Sequence, residues 1–354
     1  MKINVNLLKK GLVLSEDVYS VSNKPIAKKN TIIEEKHIEV FKAFLIKEVD
    51  VKRETRIGDE TVIEEKLQVQ EEEDSTFRQL YMGVVEKYKK MFLLWQSGSS
   101  VDIQKVRELI LPLVDKALNE PMEVMGIYKK SKEKEYIYHH SISVAALCAI
   151  LGNELNYTKG EIYQIALAGF LCDCGMSKIN SRILQKKGVL TQQEYNEVKQ
   201  HPILSYQMLK DLPLLKEATK ISVLQHHERL DGSGYPLKFK GEKLHPFGRI
   251  VSLADTYQAM ISERPYRARI SPFYTLDSIE KDEFGKFDLT VLKALKKLFT
   301  NYMKGRKIGF SNGRIGEIVF IDENSPTKPF VSFHDTNEVI ALSNKELLHI
   351  EEVF

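Results

Sequence analysis

The sequence predicts a mainly α-helical protein with a small α+β module at its N-terminal end and a small β-rich segment at its C-terminal end. From Ser75 to about Asn301, nearly every segment repeats its apolar residues with the period of a helix. The residues before and after this region instead combine short β-like stretches with turn-forming residues. With 354 residues, of which 43% are hydrophobic and 29% charged, the chain can fill two or three ordinary globular domains.

Residues 1–56 form the predicted N-terminal module. Short β-like stretches surround Val13 and Ile26, and residues 22–25 between them favour a turn. A helical pattern follows over residues 38–45. Residues 57–74 then become polar and acidic, which indicates a linker because a run of like charge rarely packs.

Residues 75–118 are predicted to form a helical connector, and residues 119–304 a larger helical domain. Two capping boxes, in which a threonine is followed three residues later by a glutamate, predict helix starts in this domain at Thr158 with Glu161 and at Thr191 with Glu194. The stretch 229–247 is rich in glycine, proline and lysine and is predicted to be a loop. An apolar stripe on the connector suits either a homodimer interface or packing within the chain, and it comprises Phe77, Leu80, Val84, Tyr88 and Phe92.

Residues 305–354 are predicted to form the β-rich C-terminal segment. Ser311-Asn312-Gly313 is a hairpin turn signal. Strands are expected over residues 315–321, 330–333 and 339–342, where β-branched and aromatic residues recur.

The bulk composition excludes several classes of protein. No apolar run approaches the roughly 18 residues that span a bilayer, and the first residues lack a signal-peptide pattern. A net charge of +3 gives no support for DNA or membrane binding. The three cysteines do not suggest a disulfide framework, so we expect a cytoplasmic protein without a DNA or membrane partner.

Histidines and aspartates cluster in the helical domain. Six of the nine histidines fall between positions 139 and 245, and Asp173 and Asp255 lie in apolar helical settings. A buried carboxylate needs a cation or strong hydrogen bonds, although a local hydrogen-bond partner often satisfies a single one. His226 and His227 are adjacent, and side chains of neighbouring helical residues diverge by about 100°, so both can reach one metal only near a helix end or bend.

Together these residues predict a metal site rather than separate structural histidines. His201 precedes Pro202 at the expected start of a helix, and His140 lies in the apolar pattern of another. Imidazole and carboxylate ligands suit iron, manganese, zinc or nickel.

Several motifs in this domain carry a specific resemblance. The longest is HHERLDGSGYP, residues 226–236, and shorter ones are HSISVA from His140, His201-Pro202, residues 249–255, and ERPYR at 263–267. Over roughly residues 120–300 the chain resembles the HD-GYP family. That family is a branch of the HD phosphohydrolase superfamily and hydrolyses cyclic di-GMP.

The resemblance implies a helical HD-type domain with two divalent transition-metal ions. Asp173 would be the catalytic residue shared by both ions, which would polarise phosphate oxygens and acidify a water for in-line attack. The product would be linear pGpG, with GMP as an alternative end product. The remaining metal ligands would be His201, His226 and His227 for one ion, and His140 and Asp255, together with position 172, for the other.

The resemblance also implies contacts with the substrate, cyclic di-GMP. Arg264 and Arg267 would bind its phosphates, because a guanidinium fork suits phosphate oxygens, and Tyr235 would line the pocket. The alternative is that the two arginines form surface ion pairs and that the GYP loop, residues 229–247, only connects helices. This loop is also a candidate surface for a protein partner.

The sequence departs from the family pattern at the motif that names the superfamily. The usual His-Asp-Ile-Gly-Lys reads Cys172-Asp173-Cys174-Gly175-Met176. Cys172 could ligate a softer ion as a thiolate, or it could be a small buried residue beside a weakened metal position. Met176 removes a positive charge that faces phosphate, which could cost ~10²-fold in rate. Tyr136 occupies the position of a glutamate that holds a third ion in some members, so a third ion is not expected.

Two classes of function follow, and a third differs in substrate. The chain is either a cyclic di-GMP phosphodiesterase with an altered site or a cyclic di-GMP sensor or scaffold that binds without efficient cleavage. The retained histidines favour the enzyme, whereas Cys172 and Met176 favour the sensor. The GYP signature argues against hydrolysis of a different nucleotide, but these residues do not fix the identity of the base.

Overall fold

The computed structural model divides into two compact units, residues 1–73 and residues 74–354. It describes residues 2–5, 8, 11–19, 25–43, 46, 48–51, 76–130, 135–186, 188–263, 269–281, 284–336, 338–342 and 350–354. The acidic stretch predicted as a linker, residues 57–74, and the turn predicted at residues 22–25 fall almost wholly outside this set.

The first unit is a small α+β structure. Its helix α1, Glu35–Ala43, accompanies two short antiparallel strand pairs, in which β1 (Lys2–Asn4) pairs with β4 (Glu48–Asp50), and β2 (Val18–Tyr19) pairs with β3 (Pro25–Ala27). Leu14, Ile33 and Phe41 are fully buried at the centre of its core.

The second unit is helical through most of its length. Its helices are α2 (Phe77–Gln96), α3 (Ile103–Asn119), α4 (Pro121–Gly126), α5 (Tyr136–Glu154), α6 (Lys159–Leu171), α7 (Ser181–Leu184), α8 (Gln192–Val198), α9 (His201–Leu209), α10 (Glu217–Gln225), α11 (Pro246–Ile261), α12 (Pro272–Lys281) and α13 (Leu289–Met303). The predicted capping boxes at Thr158 and Thr191 are present and begin α6 and α8. The loop predicted from Arg229 ends where α11 begins at Pro246.

Helices α5 and α6 form the centre of the second unit. Every residue of α5 from His139 to Gly152 is buried, and α6 is buried from Gln164 to its end. A helix that is apolar on all sides must be surrounded by other elements. Helices α2, α3, α10 and α11 pack around this pair, so polar side chains on α5 and near the end of α6 face other helices rather than water.

The apolar stripe of the connector is covered within the chain. Phe77, Val84, Tyr88 and Phe92 are buried in the same core as α5 and α6, and Leu80 packs against that core. Intramolecular packing therefore accounts for the stripe, and a homodimer remains a prediction that this feature does not require.

A five-stranded antiparallel sheet follows α13. Its strands are β5 (Lys307–Phe310), β6 (Ile315–Phe320), β7 (Phe330–Phe333), β8 (Val339–Ala341) and β9 (Ile350–Val353), in the order β8-β7-β6-β5-β9. The turn after β5 contains Gly313 at a φ of 80°, which suits glycine. The three predicted strands correspond to β6, β7 and β8, whereas β5 and β9 were missed. The mainly α-helical fold class with a small β-rich end is confirmed.

Among the described helices, none combines the length and the apolar character that a membrane-spanning helix needs.

Candidate metal centre

Five helical elements of the second unit bring six imidazole and carboxylate side chains together. One residue lies within α5, one follows the end of α6, one begins α9, two follow the end of α10 and one lies within α11. All are buried except His227, which is half-buried. In chain order they are His140, Asp173, His201, His226, His227 and Asp255.

The first group of potential ligands contains Asp173 and three histidines. The Nε2 atoms of His201 and His226 lie 3.0 Å apart, and His201 Nε2 is 3.1 Å from Asp173 Oδ1. The rings of His226 and His227 are 4.1 Å apart between centroids. This close approach is available to adjacent residues because α10 ends at Gln225, as the sequence predicted.

The second group contains His140, Asp173 and Asp255. His140 Nε2 lies 2.8 Å from Asp255 Oδ1 and 3.7 Å from Asp173 Oδ2. Asp173 therefore belongs to both groups, with Oδ1 facing the histidines of the first and Oδ2 facing His140 of the second. This is the arrangement that a carboxylate shared by two cations requires.

Backbone carbonyls fix the orientation of two of the histidines. His201 Nδ1 lies 2.7 Å from Val198 O, and His226 Nδ1 lies 2.6 Å from Val223 O. A carbonyl oxygen can only accept, so both Nδ1 atoms carry the proton and donate it. In the neutral rings the two Nε2 lone pairs would then face each other at 3.0 Å, which is repulsive unless a cation or a second proton lies between them. Such backbone hydrogen bonds commonly orient metal-ligating histidines, so the donor set fits a divalent metal.

The electrostatics of the first group agree with this interpretation. Burial and the charge of His201 lower the pKa of His226 to about 4, so that ring is neutral near pH 7. Burial alone would raise the pKa of Asp173, yet the hydrogen bond and charge of His201 and the charges of two further histidines hold it below its usual range. The carboxylate is therefore ionised, and the neutral imidazole offers a lone pair.

A tight contact between two elements sets the distance from Asp173 to His201. Ser205 on α9 donates its hydroxyl to Cys172 O at 2.6 Å and accepts from Gly175 N at 2.8 Å. A Cβ on Gly175 would overlap the backbone of α9, so only glycine permits this approach. The 3-10 turn Cys174–Lys178 thus holds the end of α6 against the start of α9.

The GYP loop is held in place by Glu228. This side chain is 1% exposed, and its carboxylate accepts from Leu237 N at 2.5 Å and Phe239 N at 3.2 Å. A Cβ on Gly234 would lie 2.5 Å from backbone atoms of residues 227–229, so the loop folds closely onto the histidine pair. As a result the Tyr235 ring lies 4.7 Å from the ring of His227.

Cys172 does not join either group of potential ligands. Its thiol donates to Gly169 O at 3.2 Å, and burial raises its pKa well above the usual value. The prediction of Cys172 as a metal ligand is thus not supported by the geometry. Cys172 is a buried free thiol, and its role beside a metal position stays a prediction.

The other departures from the family pattern are also visible. Met176 packs against the hydrophobic core of the second unit. Tyr136 stacks on His140 with 5.1 Å between ring centroids, and Glu135 accepts from Lys89 Nζ at 2.6 Å. Arg264 and Arg267, predicted to contact phosphate, lie outside the described residues.

The residues that support the ligands were not predicted from the sequence. Glu228 and Ser205 touch none of the grouped side chains through their own polar atoms, but they position the loop and the turn that carry them. A glutamate inside the HHERLDGSGYP motif was a signal for the first. Nothing in the sequence marks Ser205, since its role depends on a contact between distant elements.

Comparison with known proteins agrees with the motifs. Residues 128–291 match the HD domain family, and this range contains all six grouped side chains. Cyclic di-GMP phosphodiesterase PA4108 of Pseudomonas aeruginosa is 29% identical over 229 residues, which cover 65% of this chain and 55% of that protein. Cyclic di-GMP phosphodiesterase PdeB of Borreliella burgdorferi is 31% identical over 214 residues, covering 59% of this chain and 55% of that protein. The helical domain belongs to the HD-GYP family.

These matches cover only part of each relative, which limits what membership in the HD-GYP family implies about the whole protein. The chain spans about half the length of the curated relatives it matches. The HD-GYP fold itself is shared with Bd1817, an HDG"Y"P protein from Bdellovibrio bacteriovorus, at a TM-score of 0.51 and 16% identity. That likeness covers 84% of this chain and 98% of the other.

Proposed function

We propose that this protein is a metal-dependent phosphodiesterase that hydrolyses cyclic di-GMP to pGpG. The observation that carries the proposal is the position of Asp173, whose two oxygens face two separate groups of potential ligands. Membership of the domain in the HD-GYP family supports the reaction type. Relatives named as cyclic di-GMP phosphodiesterases support the substrate.

The two groups would hold two divalent transition-metal ions. Asp173, His201, His226 and His227 would bind one, and His140, Asp173 and Asp255 the other. Mixed imidazole and carboxylate ligands suit iron, manganese, zinc or nickel. When bound, such ions stabilise negative charge on a phosphodiester and make a water more acidic.

The side chains of the site perform the remaining tasks. Asp173 stays ionised at neutral pH because its pKa is depressed, so it serves as a fixed negative charge rather than as a proton carrier. The half-buried ring of Tyr235 lies beside His227, where it can pack against a base or ribose of the substrate. Glu228 holds Tyr235 in this position through its hydrogen bond to the GYP loop. Arg264 and Arg267 are proposed to bind phosphate.

Hydrolysis opens the ring of the cyclic dinucleotide at one phosphodiester. The oxygen of water bonds to phosphorus in line with the ribose 3′ oxygen, the bond from phosphorus to that oxygen breaks, and a proton passes to the 3′ oxygen. The product is the linear dinucleotide pGpG, and a second hydrolysis would give GMP.

The test is turnover by purified protein loaded with manganese or ferrous iron. We expect conversion of cyclic di-GMP to pGpG, resolved by chromatography, and loss of turnover after chelation with recovery on adding metal back. A parallel assay with cyclic GMP-AMP tests whether the site distinguishes guanine from adenine. Absence of turnover of cyclic di-GMP by metal-loaded protein would contradict the proposed activity.

A second candidate function is supported by two observations. Cys172 lies outside both ligand groups, and Met176 contributes no charge to the site. A protein with these features could bind cyclic di-GMP as a sensor or scaffold. Metal-dependent binding without turnover, unchanged by Cys172→His, would establish the sensor in place of the enzyme.

A further inference from the structure

The ammonium group of Lys199 lies near two aromatic rings at the edge of the candidate metal centre. Its Nζ is 4.8 Å from the ring centroid of Tyr195 and 5.0 Å from that of Tyr235. Tyr195 is on α8, and Lys199 caps the C-terminal end of the same helix, so the two side chains are neighbours four residues apart. The second ring, that of Tyr235, belongs to the GYP loop.

Lys199 is linked to the candidate ligands through the ring of Tyr235. The Tyr235 ring is 4.7 Å from that of His227, which is in turn 4.9 Å from the ring of His201. Lys199 is thus placed at the edge of the site and is half-buried there.

Neighbouring cations of the second unit have other partners. Arg229 donates to Ser252 Oγ at 2.8 Å and Thr256 Oγ1 at 3.1 Å. Lys178 donates to Trp95 O, and Lys186 pairs with Glu194 at 2.5 Å. Among the residues that the structure describes, the ammonium of Lys199 has neither a hydrogen-bond acceptor nor a carboxylate partner, and its contacts are the two tyrosine rings. These contacts position the ammonium and leave its N–H groups available for a ligand.

We propose that Lys199 is a substrate-binding residue that contacts a phosphate oxygen of the cyclic dinucleotide. The inference rests on the proposed function, since it assigns a residue to that same site. A cyclic dinucleotide carries two negative phosphodiesters, and an ammonium is a good partner for such oxygens. Met176 contributes no charge and packs into the core, so Lys199 supplies a cation that the motif around Asp173 does not.

A structural role for Lys199 would have different consequences. If the amine only held Tyr235 in place through its ring contacts, its removal would alter the loop but would not change how binding responds to salt. A phosphate contact is weakened by salt, and each such contact that is lost reduces the salt dependence of binding. The conservative change to arginine keeps the charge and the ability to stack on tyrosine, so it should preserve a phosphate contact.

The experiment measures equilibrium binding of the bis-phosphorothioate analogue of cyclic di-GMP to full-length, metal-loaded protein at several salt concentrations. The variants are Lys199→Met, Lys199→Gln and Lys199→Arg. The matched control is Lys210→Met, which removes an exposed lysine just beyond the far end of α9. Melting temperatures establish that each variant is folded, and kcat and KM for cyclic di-GMP are measured on the same samples.

We expect Lys199→Met and Lys199→Gln to raise Kd about tenfold and to flatten its salt dependence. KM should rise more than kcat falls, Lys199→Arg should bind nearly as the unmodified protein does, and Lys210→Met should match it. If the unmodified protein binds the analogue and Lys199→Met binds equally well with the same salt dependence, the inference is wrong and the proposed function stands. An unmodified protein that neither binds the analogue nor cleaves cyclic di-GMP would overturn the proposed function, and the assignment of Lys199 with it.

Discussion

At the scale of single residues, Asp173 is the side chain on which the site depends. It is buried, ionised and shared by both groups of candidate ligands, while the other five side chains each belong to one group. Its position two residues past the end of α6 places the carboxylate where the starts and ends of other helices converge.

Replacing the shared carboxylate should therefore empty both metal positions. We expect Asp173→Asn to lower the metal content of purified protein to a small fraction of its normal value and to reduce turnover by about 10³-fold or more. Elemental analysis measures the first effect directly. Asp211→Asn, at an exposed position, is the matched control and should retain both metal and activity. Full metal content in Asp173→Asn would contradict the shared-ligand arrangement.

Cys172 gives a second prediction at this scale. Because its thiol donates to Gly169 O and lies in neither group, Cys172→Ala should leave the metal-to-protein ratio unchanged. The small cavity should cost about 1 kcal/mol of stability. Cys148→Ala, another buried free thiol of the same core, should show a similar loss in a denaturant titration. Metal loss specific to Cys172→Ala would instead show that the thiol is a ligand.

The histidines of the first group predict how metal affinity depends on pH. Burial would lower the pKa of His201, but the hydrogen bond to Asp173 and its charge raise it above the usual value. A metal must displace this proton, so affinity should fall as pH falls through that raised pKa, by about tenfold per pH unit for one proton. Calorimetry in buffers of different ionisation enthalpy counts the protons released. An affinity that does not change between about pH 5 and pH 8 would contradict this linkage.

At the scale of secondary-structure elements, hydroxyl groups of α2 anchor the helix that carries His140. Tyr81 OH lies 3.0 Å from His139 Nδ1 and 2.9 Å from Ser143 Oγ, and Tyr88 donates to Ser141 Oγ at 3.0 Å. Polar contacts inside an otherwise apolar interface fix the relative rotation of two helices. The connector thereby helps to set the direction in which His140 points.

Removing one of these hydroxyls should be costly because its partners stay buried. We expect Tyr81→Phe to lower the free energy of unfolding by about 1–3 kcal/mol, since a buried polar group is left unsatisfied. Chemical denaturation monitored by circular dichroism measures the change. Tyr274→Phe, at a position that is 60% exposed, should be nearly neutral. Equal stability of the two variants would show that the α2 hydroxyls contribute nothing net.

At the scale of the whole molecule, all of the described candidate ligands lie in the second compact unit. A shortened chain beginning at residue 75 should therefore bind as much metal as the full chain and retain turnover of cyclic di-GMP. Metal analysis and turnover on both proteins test this expectation. A shortened protein that folds cooperatively but lacks metal would show that the first unit is needed to form the site.

The sequence predicted the fold class and the grouped side chains more completely than their surroundings. Helical periodicity, the capping boxes at Thr158 and Thr191, and the motif around His226 are local signals, and local signals survive in a single sequence. The contact of Ser205 with Cys172 O depends on two elements meeting in space. Strand β9 pairs with β5 across about forty intervening residues, so its partner could not be read from nearby positions.

The bond between His140 and Asp255 joins positions 115 residues apart in the chain. An ion held by such distant segments acts as a reversible cross-link that the unfolded chain cannot maintain. A free metal concentration one hundred times the dissociation constant would add about 2.7 kcal/mol to the free energy of unfolding. A chelator would then lower the free energy of unfolding by the same amount.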